Sequence, residues 1–335
     1  MQKNQKYFPL VDQNKKLTNK FLIISNLKTK NFSSIVNGNE KVISPRLEDA
    51  KFFFDTDRKY SLESRLDQLK KLIFQDKLGS VFDKAIRVSK ISRSFARKVS
   101  GNEAYCERVA LLSKCDLLTD MVREFSDLQG IVGSYYATFD GEPKEIAVAI
   151  KEQYLPIGFD TAIPKKPYSI TLSLTDRIDT LTGFFGINEK PSSSKDPYAL
   201  RRVALGIIRI IVENKKDLKI NDLISYSSNN YLDQGFNLIN DTLTKDISDF
   251  LKDRFRYYLK EKNIRYDIIN AATKVLSLNS ISVTFEKVKS LNKVINKSIG
   301  EDVVSSYKRA FNILNSEVKD INNELTNTTD PGIFK

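Results

Sequence analysis

The segment Leu111-Leu112-Ser113-Lys114-Cys115-Asp116-Leu117-Leu118-Thr119-Asp120-Met121-Val122-Arg123-Glu124-Phe125 decides how the chain is read. Two further blocks resemble it in texture: Thr175-Asp176-Arg177-Ile178-Asp179-Thr180-Leu181-Thr182-Gly183-Phe184-Phe185-Gly186, and the run from Lys195-Asp196-Pro197-Tyr198 through Arg201-Arg202 to Ile211. Each mixes charged and apolar side chains, the last two blocks with glycine as well, more tightly than a plain amphipathic helix needs. The underlying period is helical. Val109, Leu112, Cys115, Thr119 and Val122 form one stripe, and Leu200, Ala204, Ile207-Ile208 and Ile211 another.

Outward from these blocks the same period continues. Leu62, Leu66, Leu69 and Leu72-Ile73 predict a helix, as do Phe82, Ala85, Val88-Ser89, Ser92 and Phe95. Beyond the middle, Ile247, Phe250-Leu251, Phe255 and Tyr258-Leu259 repeat it, then Val288, Leu291, Ile295 and Ile299, then Val304, Tyr307, Phe311 and Leu314. The start differs. Phe21-Leu22-Ile23-Ile24 has strand length, Asn37-Gly38-Asn39 signals a turn, and Pro45 suits the first turn of a helix through Phe54. Two or three strands are expected there. Links are expected at 156–167 and 189–194, and the polar, Asn- and Ser-rich stretch 215–244 suggests a domain boundary. The expected organisation is an α+β region over 1–60, a helical domain over 61–225 and a further, incomplete helical region over 226–335. The tail from Asn322 is polar and ends without a helix terminus, which reads as a truncated chain.

The 335 residues carry 54 Lys+Arg against 42 Asp+Glu, a formal charge of +12. A basic balance favours a polyanionic partner, above all nucleic acid; the competing reading is a surface rich in lysine for solubility alone. The chain contains no histidine. That excludes a Ser-His-Asp or Cys-His site and any His-based metal centre. Cys106 and Cys115, on one helix, would stand about 13 Å apart along its axis, too far for a disulfide. Free thiols suit a reducing cytoplasm. No apolar run has membrane-spanning length, since Arg209 interrupts the isoleucines of 207–211. The opening Met1-Gln2-Lys3-Asn4-Gln5-Lys6 lacks the apolar core expected of a signal peptide.

Neither a glycine-rich phosphate loop nor a Walker motif is present, so no catalytic residue is assigned and no nucleotide site is expected within this chain. Asp116, Asp120 and Glu124 recur every four residues and would share a helix face; Asp176 and Asp179 would share another. Such carboxylates hold Mg²⁺ in some proteins, but Lys114, Arg123 and Arg177 beside them favour ion pairs, and no metal ligand is assigned. Arg254-Phe255-Arg256-Tyr257-Tyr258 interleaves cations with aromatics, a pattern that grips phosphates and stacks on bases. The alternative is that Phe255 and Tyr258 are core and the charges solvated. Lys293 and Lys297 follow on the next helix. Arg201 and Arg202 either face RNA or pair with Asp176, Asp179 or Asp196. Arg46 and Arg58 are further phosphate candidates. The glycines at 130, 133, 141, 183 and 186 are expected to serve turns and close packing, and Tyr135-Tyr136 to be core or interface.

The order of segments adds a resemblance. Gly38-Asn39-Glu40-Lys41-Val42, Pro45-Arg46-Leu47-Glu48-Asp49-Ala50, Asp57-Arg58, Gln75-Asp76-Lys77-Leu78-Gly79-Ser80, Lys114-Cys115-Asp116-Leu117, Glu152-Gln153-Tyr154-Leu155-Pro156, Asp176-Arg177-Ile178-Asp179 and Lys195-Asp196-Pro197-Tyr198-Ala199-Leu200-Arg201-Arg202 resemble, in that order, the beta subunit of bacterial two-subunit glycyl-tRNA synthetase. The likeness is strongest over about 7–215. It implies part of an α₂β₂ ligase that charges tRNA-Gly, with ATP and Mg used by the complex, no cofactor bound by this chain and the aminoacylation site on the alpha subunit. It implies a mainly α fold: an HD-like helical domain, a small α+β N-terminal remnant and a partial helical, anticodon-binding-like end. The expected partners are the alpha subunit and tRNA-Gly in the cytoplasm, with no membrane. In the HD-type hydrolases that the middle also resembles, metal sits on a His-Asp doublet; here Cys115-Asp116 stands at that place and Asp176 at the later Asp. Two rivals remain: an HD-type metal-dependent phosphohydrolase and a non-catalytic RNA-binding scaffold.

Overall fold

The computed structural model of the chain describes residues 6–26, 31–99, 101–275 and 280–327. It is mainly α-helical and falls into two compact units, Met1–Asp55 and Thr56–Lys335.

In the first unit, strands β1 (Phe8–Val11) and β2 (Leu17–Leu22) pair antiparallel, Phe8 opposite Leu22. The Asp12 carboxylate closes the hairpin by accepting from the amides of Asn14 and Lys16. Helix α1 (Phe32–Asp57) follows and corrects two expectations. Asn37-Gly38-Asn39 is helical, and Pro45 lies inside the helix instead of opening it. An interior proline gives up one backbone bond, and a mid-helix glycine costs about 1 kcal/mol. From the strand side the Tyr7 hydroxyl donates to Asn39 Oδ1, and Asn39 Nδ2 donates to Ile35 O one turn back in the helix.

The second unit opens with another correction. Leu62 and Leu69 are buried as their stripe predicts, but the segment forms two 3₁₀ turns, Glu63–Arg65 and Asp67–Lys71. The Arg65 guanidinium folds back onto the carbonyls of Asp57, Tyr60 and Ser61, which bends the chain where an α-helix would run straight. A two-stranded ribbon, β3 (Ile73–Gln75) with β4 (Gly79–Ser80), follows. Helix α2 (Val81–Val99) starts with a reciprocal cap. Asp83 accepts from the Ser80 amide, and Ser80 Oγ accepts from the Asp83 amide.

Helix α3 (Glu103–Leu112), the 3₁₀ turn Cys115–Leu118 and helix α4 (Asp120–Glu124) replace the single helix expected over 109–122. Thr119 breaks it: its backbone is extended and its hydroxyl caps α4 by accepting from the Val122 amide. Asp116 is therefore set apart from Asp120 and Glu124, which alone keep the expected four-residue spacing on one helix. Cys106 and Cys115 lie on separate elements, both buried and free.

Helices α5 (Ile131–Phe139) and α6 (Lys144–Glu152) precede the central helix α7 (Pro167–Gly186), whose side chains are buried on nearly every side. Around it pack α2, α3, α6, α8 (Leu200–Glu213), α9 (Ile220–Asp233) and α10 (Leu243–Glu261). Asp196 accepts from the amides of Leu200 and Arg201 and so caps α8, while Tyr198 stacks on Phe184 with ring centroids 4.1 Å apart. That accounts for the Lys195–Leu200 block. The polar stretch 215–244 is largely α9, which buries Leu223, Ile224, Ser227 and Tyr231 in the core shared with Leu181 and Ile208. The 225/226 position lies inside this helix. Helices α11 (Tyr266–Val275), α12 (Ile281–Ile295) and α13 (Ser298–Asn327) complete the described chain. The stripe Val304, Tyr307, Phe311 and Leu314 is on α13 as expected, but all four are at least partly exposed.

Candidate functional site

Charge, which belongs at the surface, is concentrated here in the core. Helix α2 places Lys84 and Arg87 one turn apart on its buried face, among Ala85, Val88 and Ile91. Opposite them, α7 presents Asp176, Asp179 and Thr180. Asp179 is fully buried. Its carboxylate accepts from Arg87 Nε at 2.9 Å, Lys84 Nζ at 3.2 Å and the Tyr231 hydroxyl at 3.2 Å. Arg87 also donates to Gln234 Oε1 at 2.8 Å and lies over the Tyr231 ring. Gly183 makes this possible, since a Cβ there would meet the Tyr231 hydroxyl at 2.2 Å.

Asp176 faces two ammonium groups. Lys84 Nζ is 3.5 Å and Lys114 Nζ 3.4 Å from its Oδ1. Lys114 reaches it from the turn before Cys115, donates to Gln153 Oε1 at 2.8 Å and sits over the Tyr154 ring. Burial pushes the Asp176 carboxyl up, but Lys114, Lys84 and Arg177 outweigh it and hold the group well below the usual carboxylate range. Arg177 donates instead to the carbonyls of Gln153, Tyr154, Pro156 and Ser173; burial lowers it to about 10.

Asp116 forms a separate node. Its Oδ2 accepts from the amides of Gly130 at 2.5 Å and Gly133 at 3.3 Å, and a Cβ on Gly133 would approach that oxygen to 2.9 Å. Its Oδ1 is buried without a hydrogen-bond partner. Burial raises the Asp116 carboxyl, and the Gly130 amide, Lys114 and the Gly133 amide offset only part of that. Asp57 is a third node, accepting from the amides of Asp120 and Met121 and from the Tyr136 hydroxyl, each at 3.0 Å. Tyr136 is thus core, while Tyr135 is exposed.

A divalent ion does not fit this centre. The Cys115 thiol is pushed up to about 12, by burial first and by Asp116 second, so it offers no thiolate. Two ammonium groups already lie against Asp176. Among the described residues no group of three or more Cys, Asp or Glu is placed to hold a metal.

The candidate RNA-facing cations are dispersed over several elements. Arg46 is exposed on α1, and Arg58, just past its end, stacks on Phe139 at 3.9 Å. Arg201 is half-buried, bonded to Ser192 O and 3.9 Å from Asp196, whereas Arg202 is exposed. On α10, Phe255 and Tyr258 are core. Arg256 is committed to Asp253 and Thr273, and Arg254 has a buried Nε without a partner and lies over Tyr257. Lys293 on α12 and Lys297 beyond it are exposed. Arg202, Lys293 and Lys297 have no side-chain partner among the described residues.

Sequence reasoning named Asp116, Asp176, Asp179 and Lys114 but missed Lys84, Arg87, Gln153 and Tyr231. One signal was present: Lys84 and Arg87 interrupt the apolar stripe of α2, a local conflict that marks a buried ion pair. Gln153 lies in a segment that carries the resemblance but showed no role there, and Tyr231 gave no signal.

The sequence model described as glycyl-tRNA synthetase beta subunit matches residues 1–274. The glycine–tRNA ligase beta subunit of Pseudoalteromonas translucida is 42% identical over 316 residues, covering 94% of this chain and 45% of the relative. That of Pseudomonas fluorescens is 44% identical over 264 residues, 79% of this chain and 38% of the relative. That of Glaesserella parasuis is 39% identical over 329 residues, 98% and 47% respectively. The chain spans about half the length of these curated relatives. With a matched segment that takes in both the strands of the first unit and the charged core of the second, the chain belongs to the glycyl-tRNA synthetase beta subunit family.

Proposed function

We propose that this chain is the tRNA-positioning part of a glycine–tRNA ligase beta subunit, acting in the cytoplasm with an alpha subunit that carries the aminoacylation site. In this reading the complex uses ATP and Mg, and the chain itself binds no cofactor. The observation that carries it is family membership over residues 1–274. The charge of +12 supports it, because holding a tRNA takes phosphate contacts. So do the exposed cations Arg202, Lys293 and Lys297, which no carboxylate of the described residues neutralises. Positioning is itself a catalytic contribution: fixing the acceptor end near a reactive group on another chain removes much of the entropy cost of the encounter. The hydrolase rival needs a metal on Asp116 and Asp176, and the ammonium groups against Asp176 speak against it. No helix among the described residues is long and apolar enough to cross a membrane.

The test is anisotropy of labelled tRNA-Gly titrated with the chain between 50 and 300 mM salt, with an unrelated tRNA as control. Log affinity is expected to fall linearly with log salt at a slope of about −0.9 per phosphate contacted. Equal affinity for both tRNAs would favour a general RNA-binding scaffold, and a flat salt plot would refute cationic docking.

A further inference from the structure

The buried centre of α2 and α7 has a geometry that the role in tRNA positioning does not use. Lys84 Nζ is surrounded by four oxygens from one turn of α7: Thr180 Oγ1 at 2.8 Å, Asp176 O at 3.1 Å, Asp179 Oδ2 at 3.2 Å and Asp176 Oδ1 at 3.5 Å. Two carboxylates, a carbonyl and a hydroxyl are a hard oxygen set of the kind that holds Mg²⁺, Mn²⁺ or Ca²⁺. The first three separations are those of ammonium hydrogen bonds, roughly 1 Å longer than bonds from Mg²⁺ to oxygen, and the fourth is an ion-pair contact to an oxygen without a hydrogen-bond partner. Lys114 Nζ approaches Asp176 Oδ1 from the other side and is anchored by Gln153.

We propose that the ammonium groups of Lys84 and Lys114 together stand in for the divalent ion of an HD-type centre, making this helical core independent of metal. Charge supports the exchange, since two ammonium groups supply the formal +2 of one such ion. Connectivity supports it as well. Lys84 comes from α2, Lys114 from the turn before Cys115, and the oxygens from α7. The cations thus tie together three segments that are far apart in sequence, as an ion shared among them would. Both lysines are more than nine-tenths buried, so neither serves the solvated surface. Removing both lysines takes away the cations that lie against the Asp176 and Asp179 carboxylates, apart from Arg87 on Asp179.

The experiment is thermal unfolding of the whole chain, wild type and Lys84→Ala with Lys114→Ala, in EDTA, in millimolar MgCl₂ and in millimolar MnCl₂. The wild-type midpoint is expected to stay within about 1 °C across all three conditions. The double variant is expected to unfold at least about 4 °C lower in EDTA, the usual consequence of stripping the partners from buried carboxylates in a chain of this size. Mn²⁺ should recover at least half of that loss, whereas the same double variant with Asp176→Asn, short of one carboxylate charge, should not respond. A wild-type midpoint lowered by EDTA or raised by Mn²⁺ would overturn the proposal, as would a double variant that no divalent ion stabilises. Should the variant emerge insoluble, refolding from denaturant in Mn²⁺ or in EDTA gives the same reading. A higher soluble yield in Mn²⁺ supports the stand-in, and equal yields refute it.

Discussion

Asp179 shows what a single buried charge requires. Its carboxylate is fully enclosed yet has Arg87, Lys84 and Tyr231 as donors, so the desolvation cost is offset only while the set is complete. Arg87→Ala leaves a buried carboxylate short of its main partner and is expected to cost about 3–5 kcal/mol in urea unfolding; a cost below about 1 kcal/mol would mean the pair contributes little. The two other acids respond to pH with opposite sign. Asp176 is held below its ordinary value, so its stabilisation is present above about pH 4 and is lost as pH falls through the folded value. Asp116 is held above its ordinary value, so it favours the folded state when protonated and opposes it as pH rises through the folded value. Asp176→Asn should therefore flatten the acid limb of a stability–pH curve. Asp116→Asn should flatten the rise in stability on acidification from neutral pH. Identical curves for both variants would contradict this assignment. From sequence, the acids were legible as charged positions near lysines. Their burial was not, because it depends on which helix faces α7, a fact of tertiary packing that no local pattern encodes.

At the scale of elements, legibility followed the strength of the local signal. Helix α8 was plain from its isoleucines, and the structure buries Ile207, Ile208, Ile210 and Ile211 completely. Asp196 fixes where it begins, so Asp196→Ala should cost about 1 kcal/mol while Asp196→Asn, which keeps an acceptor, should cost markedly less. Equal losses would mean that charge, not capping, matters there. The stripe over 62–73 was read as a helix because its apolar spacing fits one, yet Arg65 pulls the backbone into 3₁₀ turns through three carbonyls. Thr119 similarly divides the expected helix of 109–122 by preferring a capping role. In both cases one polar side chain overrode a correct hydrophobic pattern. At α9 an Asn- and Ser-rich composition suggested a domain boundary, and the helix there buries Leu223, Ile224 and Tyr231 in the core.

For the whole molecule, the mainly α fold and the family were legible in sequence, through the order of many short segments. The candidate RNA-facing residues could not be ranked from it, since a cation facing phosphate and a cation facing solvent read alike. Packing separates them in part: Arg256 serves Asp253 and Thr273, whereas Lys293 and Lys297 are exposed and unpaired among the described residues. Lys293→Glu with Lys297→Glu should thus weaken tRNA-Gly binding and reduce the salt slope by about 2 while leaving the unfolding midpoint unchanged. An unaltered slope would remove this pair from the contact surface. The central claim, that this chain holds tRNA for chemistry performed elsewhere, is tested most directly by incorporation of labelled glycine into tRNA-Gly with the chain alone, a purified alpha subunit alone, and both together with ATP and Mg. The account predicts no product from the chain alone and more from the mixture than from the alpha subunit; glycine attached by the chain alone, or a mixture no more active than the alpha subunit, would contradict it.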